Sequence, residues 1–230
     1  MAEEMLRHTG ATMVPRTVAI DDAVRAHGAA QVVVLGAGLD SRAWRMPELA
    51  GATVFEVDHP ASRADKQRRL RGLEPVAGRV VPVAVDLAED PLADALLAAG
   101  LDDTRPTTWV WEGVVPYLTR VAAISTLVQL AVLSAPGSRL VVQYQSRSAV
   151  MSVMRRVARV AHRVARQPDP LAGEPWRTLL RPDELATWLA PCRYRVLADR
   201  SLLELAAGLD LPDGSTGSLR TGRVAVAEKA

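Results

Sequence analysis

The stretch QVVVLGAGLDSR, residues 31–42, decides the fold. A short Val-rich run passes directly into a turn carrying Gly36 and Gly38, and the turn passes into a helical stretch. Such a strand, glycine turn and helix open a doubly wound α/β sheet. Further short runs follow at 52–57 (ATVFEV), 79–85 (RVVPVAV), 107–111 (TTWVW) and 138–145 (SRLVVQYQ). The helical spacing of apolar residues in 60–74 and 120–134 places helices between them, the second ended by Ala135-Pro136-Gly137. Strand and helix in alternation predict a mostly parallel sheet.

Beyond the fifth strand the pattern changes. In 150–166, Val150, Met154, Val157, Ala161 and Val164 form one stripe with arginines opposite, which predicts an inserted amphipathic helix. Residues 167–182 are rich in proline, Pro182 fits the first turn of another helix, and 193–198 and 222–228 predict two closing strands. At 230 residues, with no shift of composition, the chain is expected to form a single domain over 1–230, with 150–182 as an insertion on the substrate side.

The totals exclude several classes. Lys66 and Lys229 are the only lysines among 28 basic residues, and the net charge of +2 does not favour a nucleic-acid partner. The lone Cys192 cannot form an internal disulfide, and no Cys/His spacing suggests a metal site. The N-terminus is polar, and no apolar run approaches the roughly 18 residues of a membrane span. A cytoplasmic protein is expected, and the sequence leaves a homo-oligomer open.

Gly36 and Gly38 allow the close backbone approach that a nucleotide cofactor needs. Ser41 replaces the third glycine of the dinucleotide fingerprint, which disfavours a pyrophosphate. Twenty residues past Gly38, Asp58 ends the second strand, where a carboxylate can accept both ribose hydroxyls. Glu56 shares that face of the strand and is the second candidate. Asp86, after the third strand, could accept an adenine amino group beside apolar Leu87, or cap the helix expected over 90–98. Glu112, Gly113 and Tyr117 follow the fourth strand at the same edge.

With GAGLDSR, EVDHP, VDL, WVWEGVVPYL, LSAPGSRL and SLRTGRVAVAEK in this order, residues 14 to 229 resemble the leucine carboxyl methyltransferase superfamily. The likeness is to its branch of bacterial small-molecule O-methyltransferases, which resemble the tetracenomycin polyketide methyltransferase. It implies a Rossmann-like, seven-stranded class I fold and S-adenosyl-L-methionine as cofactor. It further implies that Gly36, Ala37 and Gly38 line the methionine part, Asp58 holds the ribose, Asp86 and Leu87 flank the adenine, and Glu112 lies near the amino group. Arg16, expected ahead of the first helix, would pair with the cofactor carboxylate, while Arg42 and Arg45 would tie that helix to neighbouring carboxylates. About fifteen residues precede Arg16, fewer than the helical lid usual in the family.

A small-molecule carboxylate or hydroxyl, from a secondary metabolite of polyketide type, is the implied acceptor. A carboxylate needs no base, and a hydroxyl would benefit from one. His59, Tyr117 and His162 are the nearest candidates, with bland roles favoured for each, so no catalytic residue is named. Tyr117 and Tyr144 are the candidate acceptor contacts. Arginines 155, 156, 159, 163 and 166 could meet an anionic acceptor or simply face solvent. Two alternatives remain at this point: a catalytically silent S-adenosylmethionine-binding partner subunit and an NAD-dependent oxidoreductase.

Overall fold

The structure, a computed structural model, describes residues 2–147, 176–209 and 216–230. The helix expected over 150–166, with His162 and its arginines, and most of the 150–182 insertion lie outside the described residues. Among the described residues seven strands form one sheet: β1 (Gln31–Leu35), β2 (Thr53–Asp58), β3 (Arg79–Ala84), β4 (Thr107–Trp111), β5 (Arg139–Gln145), β6 (Tyr194–Ser201) and β7 (Gly222–Lys229). Their order is β3-β2-β1-β4-β5-β7-β6, parallel except that β7 runs antiparallel to both β5 and β6. All five residues of β1 and of β4 are buried, as expected of central strands covered on both faces.

Side-chain alternation builds two cores on this sheet. Val33, Leu35, Phe55, Val57, Trp109 and Trp111 face α4 (Leu92–Ala98), α5 (Arg120–Val132) and α6 (Pro182–Leu189), which contribute Leu96, Leu127, Leu130 and Leu185. Val32, Val34, Val54, Val110 and Val141 face the other way, against Ile20 and Val24 of α1 (Ala2–His27) and Ala43 of α2 (Arg42–Arg45). Leu202 of α7 (Leu202–Ala206) and Leu219 of α8 (Thr216–Thr221) complete that layer.

The predicted strands lie where the sequence puts them, within a residue or so at most ends. Strand β6 is longer than predicted, reaching Ser201 through an irregularity between Val196 and Ala198 that keeps it paired with β7. The helix expected over 60–74 is α3 (Pro60–Arg69), which stops short of Gly72 at φ 78°. Arg16 is the clear displacement: it lies within α1, not ahead of the first helix. Pro15 inside α1 disfavours helix locally, but burial of Ile20 and Val24 against the sheet outweighs that preference. Among the described residues no helix is long and apolar enough to cross a membrane.

Candidate functional site

Strand order reverses between β1 and β4, so the loops leaving their carboxyl ends diverge and open a crevice. The turn after β1 occupies it. Gly36 has φ 65°, and a Cβ there would lie 2.3 Å from the side chain of Val114 in the loop after β4, so only glycine fits. The turn is then pinned to β2: Ala37 N donates to the Val57 carbonyl at 2.9 Å and Gly38 N to Asp58 Oδ2 at 2.5 Å. The other Asp58 oxygen accepts His59 N at 2.7 Å.

Two cavities meet at Gly36 and Gly38. The first, of about 350 Å³, is lined by Met13, Arg16, Thr17, Ala37, Leu39 and Glu112 among others. The second, of about 320 Å³, is lined by Asp58, His59, Asp86, Leu87, Val114 and Tyr117 among others. The first is a zwitterionic chamber: Arg16 Nε stands 2.6 Å from Glu112 Oε1, and Arg42 Nη1 donates to Glu112 Oε2 at 2.8 Å. Arg16 Nε is buried and meets Glu112 as an ion pair without an aligned hydrogen bond. The second combines two carboxylates with apolar walls.

Arg42 and Arg45 hold this chamber together. Arg42 Nε donates to Asp21 of α1 at 2.7 Å and its Nη1 also reaches Asp40, while Arg45 makes a forked contact to Asp21 at 2.5 and 2.9 Å. Burial works against the Arg42 charge, but Asp40, Glu112 and Asp21 outweigh it and hold the guanidinium firmly protonated. Burial likewise opposes the Asp21 carboxylate, yet hydrogen bonds from Arg45 and Arg42 hold it below the ordinary carboxylate range.

Of the sequence candidates, Arg16, Gly36, Ala37, Gly38 and Glu112 line the first cavity, and Asp58, Asp86, Leu87 and Tyr117 the second. Asp86 does not cap α4, whose N-cap is Pro91; Oδ1 of Asp86 closes its own turn by accepting Ala88 N at 2.9 Å. Glu56 is drawn away from both cavities into a buried pair with Lys66 at 2.7 Å, and burial, only partly offset by Lys66, raises its pKa. His59 caps α3, its Nδ1 accepting Ala61 N at 3.2 Å. Tyr144 is a correction: it is fully buried, donates its hydroxyl to Asp199 at 2.7 Å and lines neither cavity, because β5 aims it into the core. Asp21, Asp40, Val114 and Lys66 were missed. For Lys66 a signal existed, since a lysine is exceptional in a chain that otherwise uses arginine. Among the described residues no cluster of His, Cys, Asp and Glu is arranged to hold a metal ion.

With this geometry in place, the comparisons with known proteins are specific. A profile described as leucine carboxyl methyltransferase matches residues 2–131, more than half of the chain, and so includes the glycine turn, Asp58, Asp86 and Glu112. The chain belongs to the leucine carboxyl methyltransferase family. This family member is 40% identical over 181 residues to a candidate S-adenosyl-L-methionine-dependent methyltransferase from Mycobacterium marinum, covering 71% of this chain and 56% of the relative. It is 46% identical over 137 residues to another from Mycolicibacterium gilvum, covering 57% of this chain and 44% of that one. The chain thus spans about half the length of these curated relatives. Among solved structures, a candidate methyltransferase from Thermobifida fusca superposes with TM-score 0.68 at 17% identity, covering 100% of this chain and 86% of its own. The magnesium protoporphyrin IX methyltransferase from Synechocystis, solved with S-adenosylhomocysteine, gives 0.60 at 14% identity, covering 96% and 84%. These likenesses establish the class I methyltransferase fold for this leucine carboxyl methyltransferase family member.

Proposed function

We propose that this protein is an S-adenosyl-L-methionine-dependent O-methyltransferase acting on a carboxylate or hydroxyl of a small molecule, a secondary metabolite of polyketide type. One observation carries the reading: a glycine turn joins a chamber of paired opposite charges to a chamber of carboxylates and apolar walls. S-adenosylmethionine has a zwitterionic amino-acid end, a ribose diol and a flat adenine, and the residues present match each part. The buried Arg16 Nε, without an aligned acceptor, would meet the cofactor carboxylate, and Glu112 its ammonium group. Gly36, Ala37 and Gly38 would pass the cofactor backbone to backbone, Asp58 would accept the ribose hydroxyls, and Asp86 with Leu87 would hold the adenine. Tyr117, 44% exposed at the rim of the second cavity, is the acceptor contact retained.

When bound, the cofactor supplies an electrophilic methyl group on a sulfonium. The protein's own share is to hold the acceptor oxygen in line with that carbon, within near-attack distance, and to keep water out. Arg16, Glu112, Asp58 and Asp86 would hold the cofactor, and it would supply the methyl carbon to the acceptor oxygen, the electron pair of the broken bond staying with sulfur. A carboxylate acceptor loses no proton, which suits a site where no base is identified.

Calorimetric titration with S-adenosylmethionine, S-adenosylhomocysteine and NAD, followed by methyl transfer to a panel of phenols and carboxylic acids, tests this. Saturable binding of the first two, without NAD, and methylation at oxygen are expected. Binding without turnover across the panel points to the silent partner subunit, and binding of NAD to the oxidoreductase.

A further inference from the structure

Lys66 is buried, with 6% of its surface exposed, and takes no part in either cavity lining. Its ammonium donates to the Asp40 carbonyl at 2.6 Å and to Glu56 Oε1 at 2.7 Å, and lies 4.9 Å from the centre of the Trp44 ring. The two acceptors belong to different units: Asp40 closes the turn after β1, and Glu56 lies in β2 on the same face as Asp58. Regular pairing of β1 with β2 ends at Leu35 opposite Val57. Past that point the turn is tied to β2 by Ala37 N, Gly38 N and, at its far end, Lys66. Asp40 N donates back to Ala37 O at 2.7 Å, so holding Asp40 holds the turn that runs from Ala37 through Gly38.

We propose that Lys66 is a positioning residue for cofactor binding: anchored on Glu56, it holds the Asp40 carbonyl and thereby sets the Gly36–Asp40 backbone relative to Asp58. The proposal rests on the cofactor reading above. A compact ammonium suits the role, since it can direct separate donors at a carboxylate and a carbonyl that share no plane. Stability does not demand the pair. Replacing a buried ion pair with apolar side chains of similar volume is often neutral or stabilising. What apolar side chains cannot supply is a donor for the Asp40 carbonyl.

That difference separates a positioning role from a structural one. The parent protein, Lys66→Met, and the double variant Lys66→Met/Glu56→Leu are compared by thermal unfolding and by S-adenosylhomocysteine titration well below the melting temperature. The single variant leaves Glu56 buried and unpaired, so both its Tm and its affinity should fall. The double variant should recover most of the Tm yet bind S-adenosylhomocysteine about tenfold more weakly than the parent. Parental affinity in the folded double variant overturns the proposal, and so does a double variant that does not fold, because the pair then belongs to the fold itself. A parent protein that fails to bind S-adenosylhomocysteine overturns the cofactor reading instead, an outcome visible before any variant is made.

Discussion

Asp58 carries two separable duties, and substitutions can part them. Its carboxylate receives the amides of Gly38 and His59 while also lining the second cavity. Asp58→Asn keeps one acceptor oxygen, for the amide of Gly38 or of His59 but not both, and loses the charge that strengthens bonds to a ribose diol, whereas Asp58→Ala loses both acceptors and the charge. Hydrogen bonds to charged groups contribute about 1.5–3 kcal/mol, so Asp58→Ala should weaken S-adenosylhomocysteine binding at least about tenfold, with the Asn variant between. Unchanged affinity in the Ala variant, measured by calorimetry, would remove Asp58 from the ribose. His27, at the end of α1, is partly buried. Its ring nitrogens lie 2.7 Å from Thr108 Oγ1 and 3.0 Å from the Gly137 carbonyl, and burial, aided by the nearby Arg139 charge, lowers its pKa below 6.5. The folded state therefore binds this proton less readily than the unfolded chain. The contribution of neutral His27 is complete above the unfolded value and is lost as pH falls through the folded one. Between about pH 7 and pH 5 the denaturation midpoint of the parent should drop more than that of His27→Gln. Glu56, whose raised pKa pulls the other way, is common to both proteins and cancels in the difference. Parallel midpoints across that range would show that His27 is not the group responsible.

Elements were legible in the sequence where one physical signal acted alone. The five Val-rich runs and the two closing runs became strands because each is apolar on both faces or clearly alternates, and glycine or proline stops most of them nearby. α5 was legible for the same reason, since Thr119 accepts Ala122 N at 3.2 Å at its start and Gly137, at φ 84°, follows its end. α1 was not, because Pro15 speaks locally against the helix that tertiary burial of Ile20 and Val24 produces. The site shows the same division. Asp58 and the glycine turn could be found because their spacing is a property of one βαβ unit. The partners Asp21, Glu56 and Lys66 could not be paired from the sequence, since their contacts join α1 to α2 and α3 to β2 across folds of the chain. Tyr144 misled for a related reason: a tyrosine at the end of a strand faces either the cavity or the core, and only the observed partner, Asp199, decides.

At the scale of the molecule, the two cores share every residue of the central strands' backbone, one on each face of a single sheet. Neither layer of helices can leave without exposing the strands that support the other, which favours one cooperative unit among the described residues. The site is woven into that unit. The first cavity is walled by α1, the turn after β1 and Glu112 after β4, so a ligand there bridges segments far apart in sequence. A ligand that binds only the folded state stabilises it by about 2.7 kcal/mol at a free concentration of 100 Kd. For a domain of this size each kcal/mol moves Tm by about 2–4 °C, so saturating S-adenosylhomocysteine should raise Tm by roughly 5–11 °C. The whole unfolding transition should move together, by circular dichroism and by tryptophan fluorescence alike, because Trp109 sits in the core opposite α1 and Trp44 beside the turn. A shift seen by one probe alone would mean that the cofactor stabilises a subdomain, and no shift at 100 Kd would mean that the unfolded chain binds as well as the folded one.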